Sequence, residues 1–340
     1  MGKTKIATVL ALVAAVSGVL SACGGEPARA AGDCRNFKIA VADDDVRRTA
    51  LWAISHDQID TSKFPGLKVS YLTIPALIQA VGTDQYDVIE SSLIGVPLAR
   101  SKGIDLRILA VSSGRASHNK PTPSAPGIYV PKGSDINSVK DLAGKKIGVT
   151  SFGSTTTLNN QIVLHENYGF NAELQGGDMK WVELDPAQLT TALDRGRVDA
   201  AAVTSFPAYV LGTDGKHRRV MDTDAEWRKA TGGHNIVGGA YVALADQVDA
   251  NETCYQAFQA MLTKSIDYAK ANLEKIAVDV AEQTGLPKGF ILTQWGEGTV
   301  YDYLGNLDGR AVADAQSFLD KAAQTGDIPK PFEIQDVVVR

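Results

Sequence analysis

Between Lys145 and Asn160 the chain reads KKIGVTSFGSTTTLNN, an apolar run that hands over to a helix-like stretch through Gly153 and a cluster of hydroxyl residues. Gly153 allows close backbone approach. Ser154 or Thr155 can cap the helix while other N–H groups of its first turn stay free. Those groups and the positive helix end favour a negative or strongly accepting ligand atom; a capped helix holding only water is the plainer alternative. Ser151 and Thr156 flank this start, and Ser91, Ser92, Thr204 and Ser205 follow other apolar runs. Neutral donors of this kind hold an anion without a buried counter-charge, which limits the desolvation cost. A different chemistry is written in ADDDVRR, where Asp43, Asp44 and Asp45 precede Arg47 and Arg48. Asp44 facing a ligand would repel a simple anion and suit an amine-bearing or zwitterionic solute. The two arginines either neutralise the turn or point into solvent, and a solvated acidic turn stays open beside the ligand-facing one.

Catalytic patterns are sparse. The histidines are His56, His118, His165, His217 and His234. His165-Glu166 lacks the second histidine of a helical zinc site, and no GxSxG elbow or GxxxxGK[ST] phosphate loop occurs. No CxxC and no Cys/His pair has zinc spacing, so neither a metal nor a cofactor is expected. The aromatics Trp52, Trp181, Phe206 and Trp227 either stack on a ligand or fill cores. Trp181 lies on a strand and reads as core. Trp52 follows the acidic turn at helical spacing and Phe206 follows a hydroxyl loop, so both join the candidate ligand set, with Tyr241.

These residues must be positioned by alternating short strands and helices. Strands are predicted at 38–41, 67–72, 86–89 and 106–111, and again at 146–150, 180–184 and 198–203. The intervening helices stop at Gly82, Gly103 and Gly196. This alternation indicates α/β layers with largely parallel pairing. The two sets resemble each other: KIAVADD and KIGVTSF, LKVSYL and MKWVEL, then Pro75 and Pro186, then Asp87 and Asp199, at a nearly constant offset. Two lobes of related design follow, with a cleft between them at the carboxyl ends of the strands. Ala42–Asp45 and Glu90–Ser92 face it from one side, Ser151–Thr156 and Thr204–Phe206 from the other. From Cys254 to Gln324 the chain reads as amphipathic helices packed on the first lobe.

The compartment is written at the start. Lys3 and Lys5 precede an apolar stretch too short to span a bilayer comfortably, as in a secretory signal. Leu20-Ser21-Ala22-Cys23 resembles a bacterial lipobox, which would make Cys23 the lipidated first residue of the exported chain; an ordinary signal cleaved near residues 28–31 is the alternative. The formal net charge of −5 carries no basic block, so nucleic acid is not an expected partner. Cys34 and Cys254 remain as an even pair in an oxidising compartment, and a disulfide is predicted between them.

The lipobox, SVKDLAGKKIGVTSFGST, ALDRGRVDAAAVTSFPAYV and ALIQAVGTDQYDVIESS together resemble the nitrate/alkanesulfonate/taurine type of substrate-binding protein of bacterial ABC importers. The resemblance implies a two-lobed type II periplasmic-binding-protein fold with two crossover segments, near 127–132 and 234–241. Residues 1–22 would be the signal peptide and 23–35 a lipid-anchored linker. Lobe 1 would take 36–130 plus 236–340, and lobe 2 131–235. The implied function is capture of a small taurine/alkanesulfonate-like or nitrate-like solute and delivery to a membrane permease. The protein would be extracytoplasmic, monomeric and not an enzyme. A secreted or self-consuming α/β enzyme acting on a small metabolite such as a thiamine pyrimidine precursor, and a ligand-binding sensor, are the alternatives.

Overall fold

The computed structural model describes residues 32–115, 122–296, 304–305 and 307–339. The leader, Cys23 and His118 lie outside the described residues. Short apolar runs become the strands β1 Lys38–Ala42, β2 Lys68–Leu72, β3 Val88–Ser92, β4 Leu106–Arg115, β5 Gly127–Pro131, β6 Lys146–Val149, β7 Lys180–Glu183, β8 Ala200–Val203, β9 His217–Asp222 and β10 Ile236–Leu244. They pair into two five-stranded sheets, ordered β2-β1-β3-β10-β4 and β7-β6-β8-β5-β9.

The two sheets repeat one pattern. β1 runs parallel to β2 and β3, and β6 runs parallel to β7 and β8. The fourth position is antiparallel to both neighbours in each, β10 in the first sheet and β5 in the second. The repeat reaches single hydrogen bonds. Asp87 Oδ2 accepts from the Lys38 N–H at 2.6 Å, and Asp199 Oδ2 accepts from the Lys146 N–H at 2.7 Å. In each case the carboxylate residue also donates its own N–H back to that lysine's carbonyl. Each such pair ties the start of one strand to the strand beside it.

Pairing is therefore mixed rather than largely parallel. Both expected crossover segments contain strands, β5 and most of β10. β5 pairs with β8 and β9, so the expected division at residue 130 falls inside a strand of the second sheet, and the chain passes between sheets before Gly127. β10 carries Gly238-Gly239 in its interior, where glycine weakens a strand pattern. A Cβ on Gly239 would lie 2.7 Å from Ser112 Oγ and 2.8 Å from Ser113 Oγ, so the close approach of β10 to β4 needs glycine there.

The C-terminal helices cover the first sheet. Helix Glu252–Ala271 carries Cys254, which is joined to Cys34 in a disulfide with Cα atoms 5.5 Å apart. Phe37 packs beside this link against Phe64, Tyr255 and Phe258, all buried. Helix Gly309–Gln324 lies against β10 and sends Phe318 onto Trp227 of helix Thr223–Ala230, with ring centroids 5.8 Å apart. That contact joins the C-terminal segment to the second sheet's side. Among the described residues no helix is long and apolar enough to cross a membrane.

Candidate functional site

The segments that follow β1, β6, β8 and β9 meet β4 and β10 around a cavity of about 270 Å³. The acidic turn divides its three carboxylates among three tasks. Asp43 is exposed and accepts from Arg48 Nε at 2.8 Å. Asp44 caps helix Asp45–Ala50 by accepting from the Arg47 N–H at 2.9 Å, and its second oxygen accepts from Arg47 Nη1 at 3.0 Å. Asp45 is 4% exposed and lines the cavity. Its Oδ2 has no hydrogen-bond partner among the described residues. Burial first, then the charge of Asp44, pushes its carboxyl up to about 7.

Arg47 also lines the cavity but its charge is engaged elsewhere. Nε donates to Glu90 Oε1 at 2.7 Å and Nη2 donates to the same oxygen. Glu90 is buried and further accepts from the Ala42 N–H at 2.9 Å and from Ser112 Oγ at 3.0 Å. Burial opposes the guanidinium's charge, but Asp44 and Glu90 more than offset this and hold Arg47 protonated. Arg47 thus neutralises the turn, while Arg48 pairs with Asp43 and lies over the Tyr71 ring at 4.4 Å.

The opposite wall is the start of helix Thr155–Tyr168. Ser154 is its cap: Oγ accepts from the Thr157 N–H at 3.2 Å and donates to Ser151 O at 3.0 Å. The Gly153 N–H donates to Ser151 Oγ at 3.3 Å. Ser151, Gly153 and Ser154 are thereby used in building the helix start and do not line this cavity. Thr155, Thr156 and Asn159 line it instead. Asn159 is 5% exposed, and its Oδ1 has no partner among the described residues. Thr204 and Ser205 line the cavity at the start of helix Ser205–Thr213. Ser205 has φ of 57°, a left-handed conformation that costs a non-glycine residue energy and recurs at ligand sites. Thr223 and Asp224 complete this side, with Thr223 Oγ1 donating to Asn160 Oδ1 at 2.8 Å and so locking two helices together.

Several expected ligand residues lie elsewhere. Trp52 is 5% exposed, stacks on His56 and donates its indole N–H to Asp279; it lines a separate surface groove with Lys275 and Glu282. Helical spacing from the acidic turn carried it to the far side of the short helices. Tyr241 is buried in the core, edge-on to Phe258, because strand alternation turns it away from Gly238 on the cavity side. Phe206 packs edge-on against Phe290 and beside Tyr209. Ser91 and Ser92 end β3 opposite Ala240 and Gly239, and neither lines this cavity. Ser91 Oγ donates to Ser92 O at 3.1 Å. Conversely, Ser113, Asn159, Asp224 and Gln294 line it without having been expected.

Comparison with known proteins bears on the same chain. The family model described as NMT1/THI5 like matches residues 65–276. The chain belongs to this family. One relative, an aliphatic sulfonates-binding protein of Escherichia coli K12, is 24% identical over 238 residues, which is 69% of this chain and 68% of the relative. Among solved structures, the periplasmic aliphatic sulphonate binding protein SsuA of Escherichia coli superposes with a TM-score of 0.66 at 20% identity, covering 88% of this chain and 96% of that one. The alkanesulfonate-binding protein SsuA of Xanthomonas axonopodis pv. citri, bound to MOPS, gives 0.64 at 21% identity over 92% of this chain and 100% of its own. The fold of this family member is that of a periplasmic binding protein.

Proposed function

We propose that this protein is the extracytoplasmic solute-binding component of an ABC importer, holding one small organic solute between two lobes and presenting the closed form to a membrane permease. The observation that carries this reading is the cavity itself: its walls come from both sheets, so a ligand there completes the contact between them. At about 270 Å³ it suits a small metabolite, below the ~300–1,000 Å³ of drug-sized sites. The relatives named for sulfonate binding support a small sulfonate-bearing solute of the taurine type. The lobes are taken to divide before Gly127 and again near residue 235. Cys23 is taken as a lipid anchor, and the working state as a monomer.

Binding rather than turnover is favoured by the lining. His56, His165, His217 and His234 all lie outside it. His217 is held between Asp194 and Asp214, and His234 against Asp314. Closure is written as a population shift toward the ligand-bound form. Native mass spectrometry of protein purified from its host tests the reading. A small molecule retained in one-to-one ratio and released unchanged is expected; release of a chemically altered product would overturn it.

A further inference from the structure

We infer that the solute presents a protonated amine, or a comparable cationic N–H group, to the Asp45 carboxyl, and that a plain anion is a poor ligand. This rests on the solute-binding reading above and names the ligand's charge.

The lining holds three carboxyls, Asp44, Asp45 and Asp224, against the single guanidinium of Arg47. That guanidinium is already shared between Asp44 and Glu90, so it has little charge to offer a ligand. Asp224 sits in the first turn of helix Thr223–Ala230. A cluster of acids alone would be uninformative. Here two buried acceptors, Asp45 Oδ2 and Asn159 Oδ1, stand without partners among the described residues, on walls from different sheets. Buried acceptors left unpaired are costly, and a donor-bearing ligand satisfies both. Thr155 and Thr156 lie in the first turn of a 14-residue helix and suit an acceptor at the ligand's other pole, so a zwitterion also fits.

The charged groups facing Asp45 are Asp44 and Arg47 on its own turn and Asp224 across the cavity, with Glu90 behind Arg47. On the helix Leu273–Thr284 packed against it, Asp279 meets Trp52 and His56 and stays outside the lining. A cation therefore drives Asp45 to release its proton, and affinity for an amine rises with pH. An anion instead needs Asp45 protonated, and its affinity falls with pH.

Calorimetric titration of the disulfide-intact protein with taurine, ethanolamine and ethanesulfonate from about pH 6 to about pH 8 tests this. Expected is binding of at least one amine-bearing probe, tightening with pH, with ethanesulfonate weaker by about ten-fold or more. Asp45→Asn should weaken the amine by about ten-fold and spare ethanesulfonate; Asp224→Asn is the second variant should the first not fold. Ethanesulfonate binding as tightly as taurine, with affinity falling as pH rises, overturns the inference and leaves the solute-binding reading standing. Failure of every probe at millimolar concentration also overturns it, whereas the native mass spectrum decides the solute-binding reading independently.

Discussion

Arg47 keeps two carboxylates in one small volume, and removing it exposes what it offsets. Arg47→Met leaves Glu90 and Asp44 without their cation, with Glu90 buried. Breaking a buried pair in this way should cost about 3–5 kcal/mol, read as a lower urea midpoint. Asp45 makes the opposite kind of statement. Its carboxyl rises from the ordinary 3.8 to about 7 in the folded chain. Between those values the folded state holds a proton that the unfolded state has released, so ligand-free stability should fall as pH rises through that window. Thermal melts at about pH 5 and about pH 7.5 should show the fall, and Asp45→Asn should flatten it. At this scale the sequence disclosed residue types more readily than orientations. The acidic turn was visible, but which of three neighbouring acids caps the helix and which presents an unpaired oxygen to the cavity depends on the geometry of one short helix start. Asn159 was findable, since it lies three and four residues beyond Thr156 and Thr155 on one helix face. Gln294 carried no signal, because a distant C-terminal helix delivers it.

At the scale of elements, the internal repeat was legible because strand periodicity and the Asp87/Asp199 match are local. The antiparallel strands were hidden for the same reason: β5 and β10 owe their existence to partners far along the chain. Close packing of elements also depends on small residues that pattern alone does not flag. A Cβ on Gly212, in helix Ser205–Thr213, would lie 2.2 Å from the Pro123 carbonyl oxygen. Backbone cannot yield as a flexible side chain does. Gly212→Ala should therefore destabilise by about 1–3 kcal/mol, measured by chemical unfolding. Gly133→Ala, with open space around it, serves as the matched control and should change stability by less than about 0.5 kcal/mol.

For the whole molecule, Cys34 and Cys254 lie 220 positions apart in sequence, and the loop they close contains every strand of both sheets. Replacing both by serine should cost about 2–5 kcal/mol in guanidinium unfolding, while added reductant should lower the native protein's midpoint and leave the double variant unchanged. The pairing followed from cysteine count and compartment alone; that it would staple the first strand's approach to a C-terminal helix needed the fold. Around it, the Gly32 N–H donates to Asn251 Oδ1 at 2.7 Å and Asn251 Nδ2 donates to Asp33 O at 3.2 Å. A mechanical corollary follows. Tension applied to the chain ahead of Cys34 passes through a covalent strut into the twenty-residue helix Glu252–Ala271, so a pull from that side is borne by the helix before it can peel β1 off its neighbours.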